Sequence, residues 1–308
     1  AEERNAVDFT KILERAERAR HEHIITFEDM REAVKAEFQE SLGTRGTTFG
    51  GSLPSLDRIL KGHRPGELTI FTGRTGEGKT TMCAQISLDL CEEGVRTLWG
   101  SFEIKNSRLG SKMLQQHARV SMKNCGDDLF NDAADSFTKL PLWFLAFFGS
   151  TDVHQVLDAM EFAVYMHDVE HIIIDNLQFM TSTSGNSRSK VNTFDMLDST
   201  VHQLRQFASN YNVHITLVIH PRKDDEANLL TLSSVFGTAK VTQESDNVII
   251  LQNRGLGLKY LDIKKNRFDG TLGKVAFFFN TETTRYTELT PAEALEIEEE
   301  HNRNRVGL

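Results

Sequence analysis

The chain has 308 residues, of which 39% are hydrophobic and 26% charged, and its formal net charge is −9. That much apolar material can close a full core, which excludes a disordered chain, and no apolar run approaches the roughly 18 residues of a membrane-spanning helix. Three cysteines (Cys83, Cys91, Cys125) without a CxxC pair exclude a disulfide framework and a structural zinc site, and they fit a reducing compartment.

Residues 1–42 read as helical and charged. Phe27, Met30, Val34 and Phe38 recur at helical spacing behind Thr26, a suitable N-cap. Such a single apolar stripe needs a covering surface, either on its own domain or on a neighbouring subunit, and the pattern leaves both open. The Gly/Thr-rich run Ser41–Gly51 reads as a linker into a domain covering 43–290. Within it, short apolar runs alternate with helical stretches, the pattern of an α/β fold with a parallel sheet and crossover helices. Strands are expected at Glu67–Thr72, Thr97–Ser101, Leu142–Phe147, His171–Asp175 and Val213–Ile219. Asn247–Gln252, Tyr260–Lys264 and Val275–Asn280 follow without a long intervening helix and are expected to be antiparallel hairpins closing one edge. Residues 291–308 are acidic and polar and are expected to form a frayed tail.

The acidity is unevenly spread. Residues 1–40 hold seven basic against eleven acidic side chains, whereas 222–274 hold nine against seven. Local charge governs phosphate contacts, so a net charge of −9 does not exclude a polynucleotide partner.

The run from Gly73 to Thr80, Gly-Arg-Thr-Gly-Glu-Gly-Lys-Thr, matches GxxxxGK[ST] in full. Glycines let backbone N–H groups converge on phosphates, the lysine reaches the β/γ oxygens, and the hydroxyl ligates Mg²⁺. A buried strand before it and Met82, Ile86 and Leu90 at helical spacing after it supply the required context. The phosphate-binding set is Gly73, Arg74, Thr75, Gly76, Glu77, Gly78, Lys79, Thr80 and Thr81. Asp175 ends the apolar strand Ile172–Ile174, where an acid can share the Mg²⁺ with Thr80. Glu103 directly follows Thr97–Ser101 and is either a base that activates water or an acid favouring the next helix N-terminus.

Taken together and in order, GELTIFTGRTGEGKTT, TLWGSFEIKNSRL, HIIIDNLQFM, VIHPRK, SVFGTAKVTQESDNVIILQ and KKNRFDG resemble the helicase half of the Twinkle-type mitochondrial replicative DNA helicases. These belong with phage primase-helicases and bacterial DnaB in the superfamily-four ring helicases. The resemblance spans about Leu53 to Asn280 and implies a RecA-like core with an N-terminal linker helix that docks on the adjacent subunit. It implies Lys79 and Thr80 as the Walker A pair, Glu103 as general base and Asp175 as the Walker B acid. It further implies His220 as a γ-phosphate sensor, Gln243 as a polar sensor, Arg267 as an arginine finger acting on the next subunit, and Lys265 as a second cation. Phe279 falls near the aromatic that stacks on the nucleotide base. Arg74 and Glu77 occupy positions where closer relatives would carry other residues, which leaves the cradle itself intact.

The loops Thr181–Lys190 and Arg222–Lys240 are long and polar, so Arg188, Lys190, Arg222, Lys223 and Lys240 are the candidate DNA phosphate contacts. The resemblance thus implies hydrolysis of ATP or another NTP with Mg²⁺, single-stranded and forked DNA as substrates, and a hexameric or heptameric ring. Replication proteins as partners and a mitochondrial address follow from it alone. The alternative is a RecA-type module that binds DNA and assembles on nucleotide without processive unwinding.

Overall fold

The computed structural model describes residues 24–43, 46–179, 190–222, 229–236, 239–253 and 258–306. It divides into two compact units between residues 44 and 45.

The first unit contains helix α1, Phe27–Gly43. Thr26 begins it as anticipated: its backbone N–H donates to Asp29 Oδ2 at 2.7 Å, and Asp29 N–H returns to Thr26 Oγ1 at 3.4 Å. Phe27 and Phe38 on its apolar stripe are exposed.

The second unit is built on one nine-stranded sheet. Its strands are β1 (Leu68–Gly73), β2 (Thr97–Ser101), β3 (Leu142–Phe144), β4 (His171–Asp175), β5 (His214–Ile219), β6 (Asn247–Asn253), β7 (Leu258–Asn266), β8 (Gly273–Asn280) and β9 (Arg285–Glu288). The spatial order is β3-β2-β4-β5-β1-β6-β7-β8-β9. Strands β1 to β6 are mutually parallel, and β7, β8 and β9 add antiparallel partners at one edge. The expected α/β fold, with a mostly parallel sheet closed by hairpins, is the observed one.

Side-chain alternation splits the core between the two sheet faces. Leu68, Ile70, Ile172, Ile174, Ile215 and Leu217 pack on one side with Val156 and Met160 of α6 (Val153–His167) and Val201 and Leu204 of α7 (Lys190–Tyr211). Phe71, Ile173, Val218 and Ile249 face the other side. There they meet α2 (Pro54–Leu60), α3 (Lys79–Glu92) and α4 (Asn106–Ala118), with α5 (Asp127–Phe137) outside α4. Helices on both faces explain why β1 and β4 are buried at every position.

Two expectations need correcting, and one strand is additional. The second half of the presumed linker belongs to the sheet unit: Thr47 and His63 exchange backbone hydrogen bonds at 2.9 and 2.7 Å, and Phe49 is buried. Only glycine fits at position 46, because a β-carbon there would collide with the His63 carbonyl. Strand β9 was not anticipated. The C-terminal segment is helix α9, Pro291–Val306, in place of a frayed tail. It is capped by Thr290, whose N–H donates to Glu293 Oε2 at 2.7 Å, and it buries Ala294. No helix among the described residues is long and apolar enough to cross a membrane.

Candidate active site

Strand β1 delivers the chain into the loop 74–78, and α3 starts at Lys79. Gly76 and Gly78 adopt φ of 81° and 100°, a region closed to most side chains. Gly78 has a second reason to be glycine, since a β-carbon there would strike the Tyr286 hydroxyl. Lys79 Nζ donates to the loop carbonyls of Gly73 (2.8 Å) and Arg74 (3.1 Å), so it lies along the cradle. Burial lowers its pKa, against the pull of Asp175 and Glu103.

Thr80 Oγ1 donates to Asp175 Oδ2 at 2.6 Å. Burial pushes the Asp175 carboxyl up to about 6, against the hydrogen bond from Thr80 and with the nearby Glu103 charge adding to the rise. A hydroxyl and a carboxylate meeting at a helix N-terminus are hard oxygen donors suited to Mg²⁺. Among the described residues no cluster of three or more His, Cys, Asp or Glu side chains could hold a metal alone.

The neighbouring strand ends bring the other candidates together. Glu103, just past β2, and His220, just past β5, approach to 3.5 Å, and Asn176 lies between them. Asn176 is 1% exposed, and its Nδ2 contacts Glu103 Oε2 at 2.7 Å and His220 Nε2 at 2.8 Å. Burial, reinforced by the Lys79 charge, lowers the His220 pKa. Thus Lys79, Thr80, Glu103, Asp175 and His220 share one site at the carboxyl ends of parallel strands, where such sheets bind ligands.

The sequence reading missed Asn176, Lys112 and Lys259. Lys112 Nζ donates to Thr81 Oγ1 at 3.0 Å, and its charge lowers the Asp175 pKa. Lys259, entering from β7, donates to the Glu77 carbonyl and lies 5.9 Å from the Phe279 ring centre. Phe279 is half-buried against Tyr286, ring centres 4.8 Å apart, at the phosphate-loop end of the sheet.

Gln243, Lys265 and Arg267 form a separate group. Arg267 pairs with the buried Asp246 at 3.2 Å and donates to the Gln243 carbonyl at 2.8 Å, while its side chain is 52% exposed. Lys265 Nζ donates to the carbonyls of Thr242 (2.7 Å) and Ser245 (2.5 Å), closing the end of α8 (Ala239–Glu244). The Gln243 side chain is exposed. Register places this group at the opposite end of the sheet: Thr69 pairs with Asn247, and Asn247 with Asn266. Gly73 lies four residues further along β1, about 13 Å at the usual strand rise. Arg267 therefore sits away from the phosphate loop of its own chain.

With this geometry established, comparison with known proteins places the chain. A family model described as an AAA domain matches residues 36–226, which take in the phosphate loop, Glu103, Asp175 and His220. The chain belongs to the AAA domain family. The match to the AAA domain ends before Gln243, Lys265 and Arg267. The replicative DNA helicase DnaB of Mycoplasma genitalium is 23% identical over 262 residues, covering 75% of this chain and 54% of that protein. The DnaB helicase of Mycoplasma pneumoniae is 22% identical over 326 residues, covering 92% and 66%. The chain thus spans between half and two thirds of these relatives' length. Among solved structures, one described as an ATPase domain superposes with a TM-score of 0.75 at 14% identity, over 86% of this chain and 99% of that one. A DnaB-like replicative helicase described with its primase interactions superposes with a TM-score of 0.72 at 15% identity, over 84% and 67%. At this identity the two structures establish the fold of the AAA domain and its flanking strands.

Of the candidate DNA contacts, Arg222 and Lys240 are exposed. Arg222 follows His220 on a segment whose backbone bridges to 234–236: Arg222 N–H donates to the Ser234 carbonyl at 2.7 Å. Arg188 and Lys223 lie outside the described residues, as does the Lys190 side chain at the start of α7.

Proposed function

We propose that the chain is the motor of an NTP-driven, ring-shaped replicative DNA helicase that translocates on single-stranded DNA. One observation supports this reading: Arg267 lies half exposed at the end of the sheet opposite the phosphate loop, so a finger role would place it on another copy's nucleotide. That copy would offer the phosphate loop, Asp175, Glu103 and His220, while Asp246 anchors the arginine. Such a finger stabilises the equatorial oxygens that gain negative charge in phosphoryl transfer. Lys79 binds the β/γ-phosphates, and Glu103 orients and deprotonates the attacking water. Thr80 and Asp175 would hold a Mg²⁺, which would supply charge neutralisation for phosphoryl transfer.

Arg222, Lys223, Lys240, Arg188 and Lys190 would grip the strand's phosphates in the pore, giving affinity without sequence preference. Phe279 would stack on the base. Residues 1–42 would act as the linker docking on the neighbouring copy, in a hexamer or heptamer. The motif set further supports a Twinkle-type helicase of the mitochondrial nucleoid, working alongside other replication proteins.

Strand displacement on a forked substrate tests the reading. The parent should unwind, while Lys79→Ala and Arg267→Ala should each lose at least about a hundredfold in rate. Unwinding by both variants at the parent rate would overturn it.

A further inference from the structure

We propose that Asn176 is a positioning residue that joins the water-activating carboxylate of Glu103 to His220, so that strand engagement near His220 reaches the hydrolytic centre. The inference rests on the roles given to Glu103 and His220 above and deepens them.

Hydrogen-bond accounting supports it. One nitrogen, Asn176 Nδ2, lies 2.7 Å from Glu103 Oε2 and 2.8 Å from His220 Nε2. A carboxylate oxygen can only accept, so the amide cannot be turned to place its own oxygen there. The NH₂ group has two hydrogens and spends one on each neighbour. With both hydrogens so spent, His220 Nε2 accepts, which puts the imidazole proton on Nδ1, a buried nitrogen with no hydrogen-bond partner among the described residues. Asn176 thereby fixes the tautomer of one partner and the position of the other. Its own freedom is small, because it is fully buried directly after Asp175, at the end of a strand paired on both sides.

The connections beyond it reach the exposed segment. The His220 carbonyl accepts from Phe236 N–H at 3.3 Å, and Arg222 N–H donates to Ser234 at 2.7 Å. A shift of the 220–222 segment moves His220, and through Nδ2 it moves the Glu103 carboxylate. Glu103 is 42% exposed on its side chain, and the Asn176 contact is what holds it from the buried side.

Asn176→Asp keeps the shape of the side chain and removes both donated hydrogens. It is compared with Asn176→Ala and with His220→Ala. In strand-stimulated NTP hydrolysis, both Asn176 variants should lose roughly 10- to 100-fold in kcat, the scale of a misplaced catalytic group. KM should move by less than about threefold, because nothing donated to the phosphates is removed. Combining Asn176→Ala with His220→Ala should cost little beyond either change alone. A readout independent of turnover is the ¹⁵N spectrum of His220: the parent should show a bare Nε2, and Asn176→Asp a proton moved onto it.

Full strand stimulation in a folded Asn176→Asp protein, multiplicative losses in the double variant, or a protonated Nε2 in the parent would each overturn the proposal. A parent that hydrolyses NTP without any strand stimulation would instead overturn the helicase reading, and the His220 spectrum would still report on Asn176.

Discussion

Acidification should weaken the fold through three histidines remote from the phosphate loop. His63, His171 and His214 are buried together, with ring centres 4.1 Å (His63–His214), 4.5 Å (His63–His171) and 5.6 Å (His171–His214) apart. They line a cavity of about 30 Å³ with Phe49, Leu56, Cys83 and Ile249. Burial is the main cause that lowers all three pKa values, and mutual repulsion of their charges adds to it for His63 and His171. The backbone carbonyl of Arg64, 2.6 Å from His214 Nδ1, opposes the shift at that residue. As pH falls, the unfolded chain takes up these protons near pH 6.5, before the folded one does. Stability is thus full above about pH 6.5 and declines below it, by up to about 4 kcal/mol per pH unit for three sites at 1.4 each. Asp175 acts in the opposite sense, because its folded carboxyl, raised to about 6, binds a proton before the unfolded one does. It returns at most about 1.4 kcal/mol per unit below pH 6. The net loss between pH 6.5 and 5 is therefore up to about 4 to 5 kcal/mol, or roughly 10 °C in melting midpoint for a domain of this size. Urea midpoints from pH 7.5 to 5 would measure it, with His63→Leu flattening the curve by about one proton. A midpoint unchanged over that range would refute the reasoning.

Two further predictions concern the phosphate loop. Gly78→Ala meets both a positive φ and the Tyr286 hydroxyl, so nucleotide affinity should fall about tenfold or more, with partial recovery when Tyr286→Phe is added; labelled-nucleotide titration would check this. Asp175→Asn keeps the shape and the contact to Thr80 but removes the charge. Single-turnover hydrolysis should drop at least about a hundredfold, with thermal stability unchanged or raised because a buried acid is gone.

How much of this was legible in the sequence depended on how local the signal was. The phosphate loop was readable because its chemistry fixes the order of Gly73, Gly78, Lys79 and Thr80 within eight residues. Strands β1 and β4 were readable because burial on both faces makes them unbroken apolar runs. β9 was not: its four residues carry no alternation, and it is held by Arg285 on Asp89 at 2.5 Å and by Tyr286 N–H donating to Gln85 at 2.6 Å. Helix α9 did have a sequence signal, the Thr290–Glu293 capping pair, which the acidic composition obscured. Asn176 looks like any residue after a strand. Its role emerges only where segments around 103, 176 and 220 converge, as Lys112 and Lys259 emerge beside Thr81 and Glu77.

Whether hydrolysis is shared between copies is most directly measured by a mixing experiment. Lys79→Ala protein lacks a working phosphate loop but keeps Arg267, and Arg267→Ala protein has the reverse defect. Each alone should be nearly inactive, while an equimolar mixture should hydrolyse NTP well above either, because some junctions then pair an intact loop with an intact arginine. A mixture that performs as the mere average of its components, or an Arg267→Ala protein as active as the parent, would contradict sharing between copies.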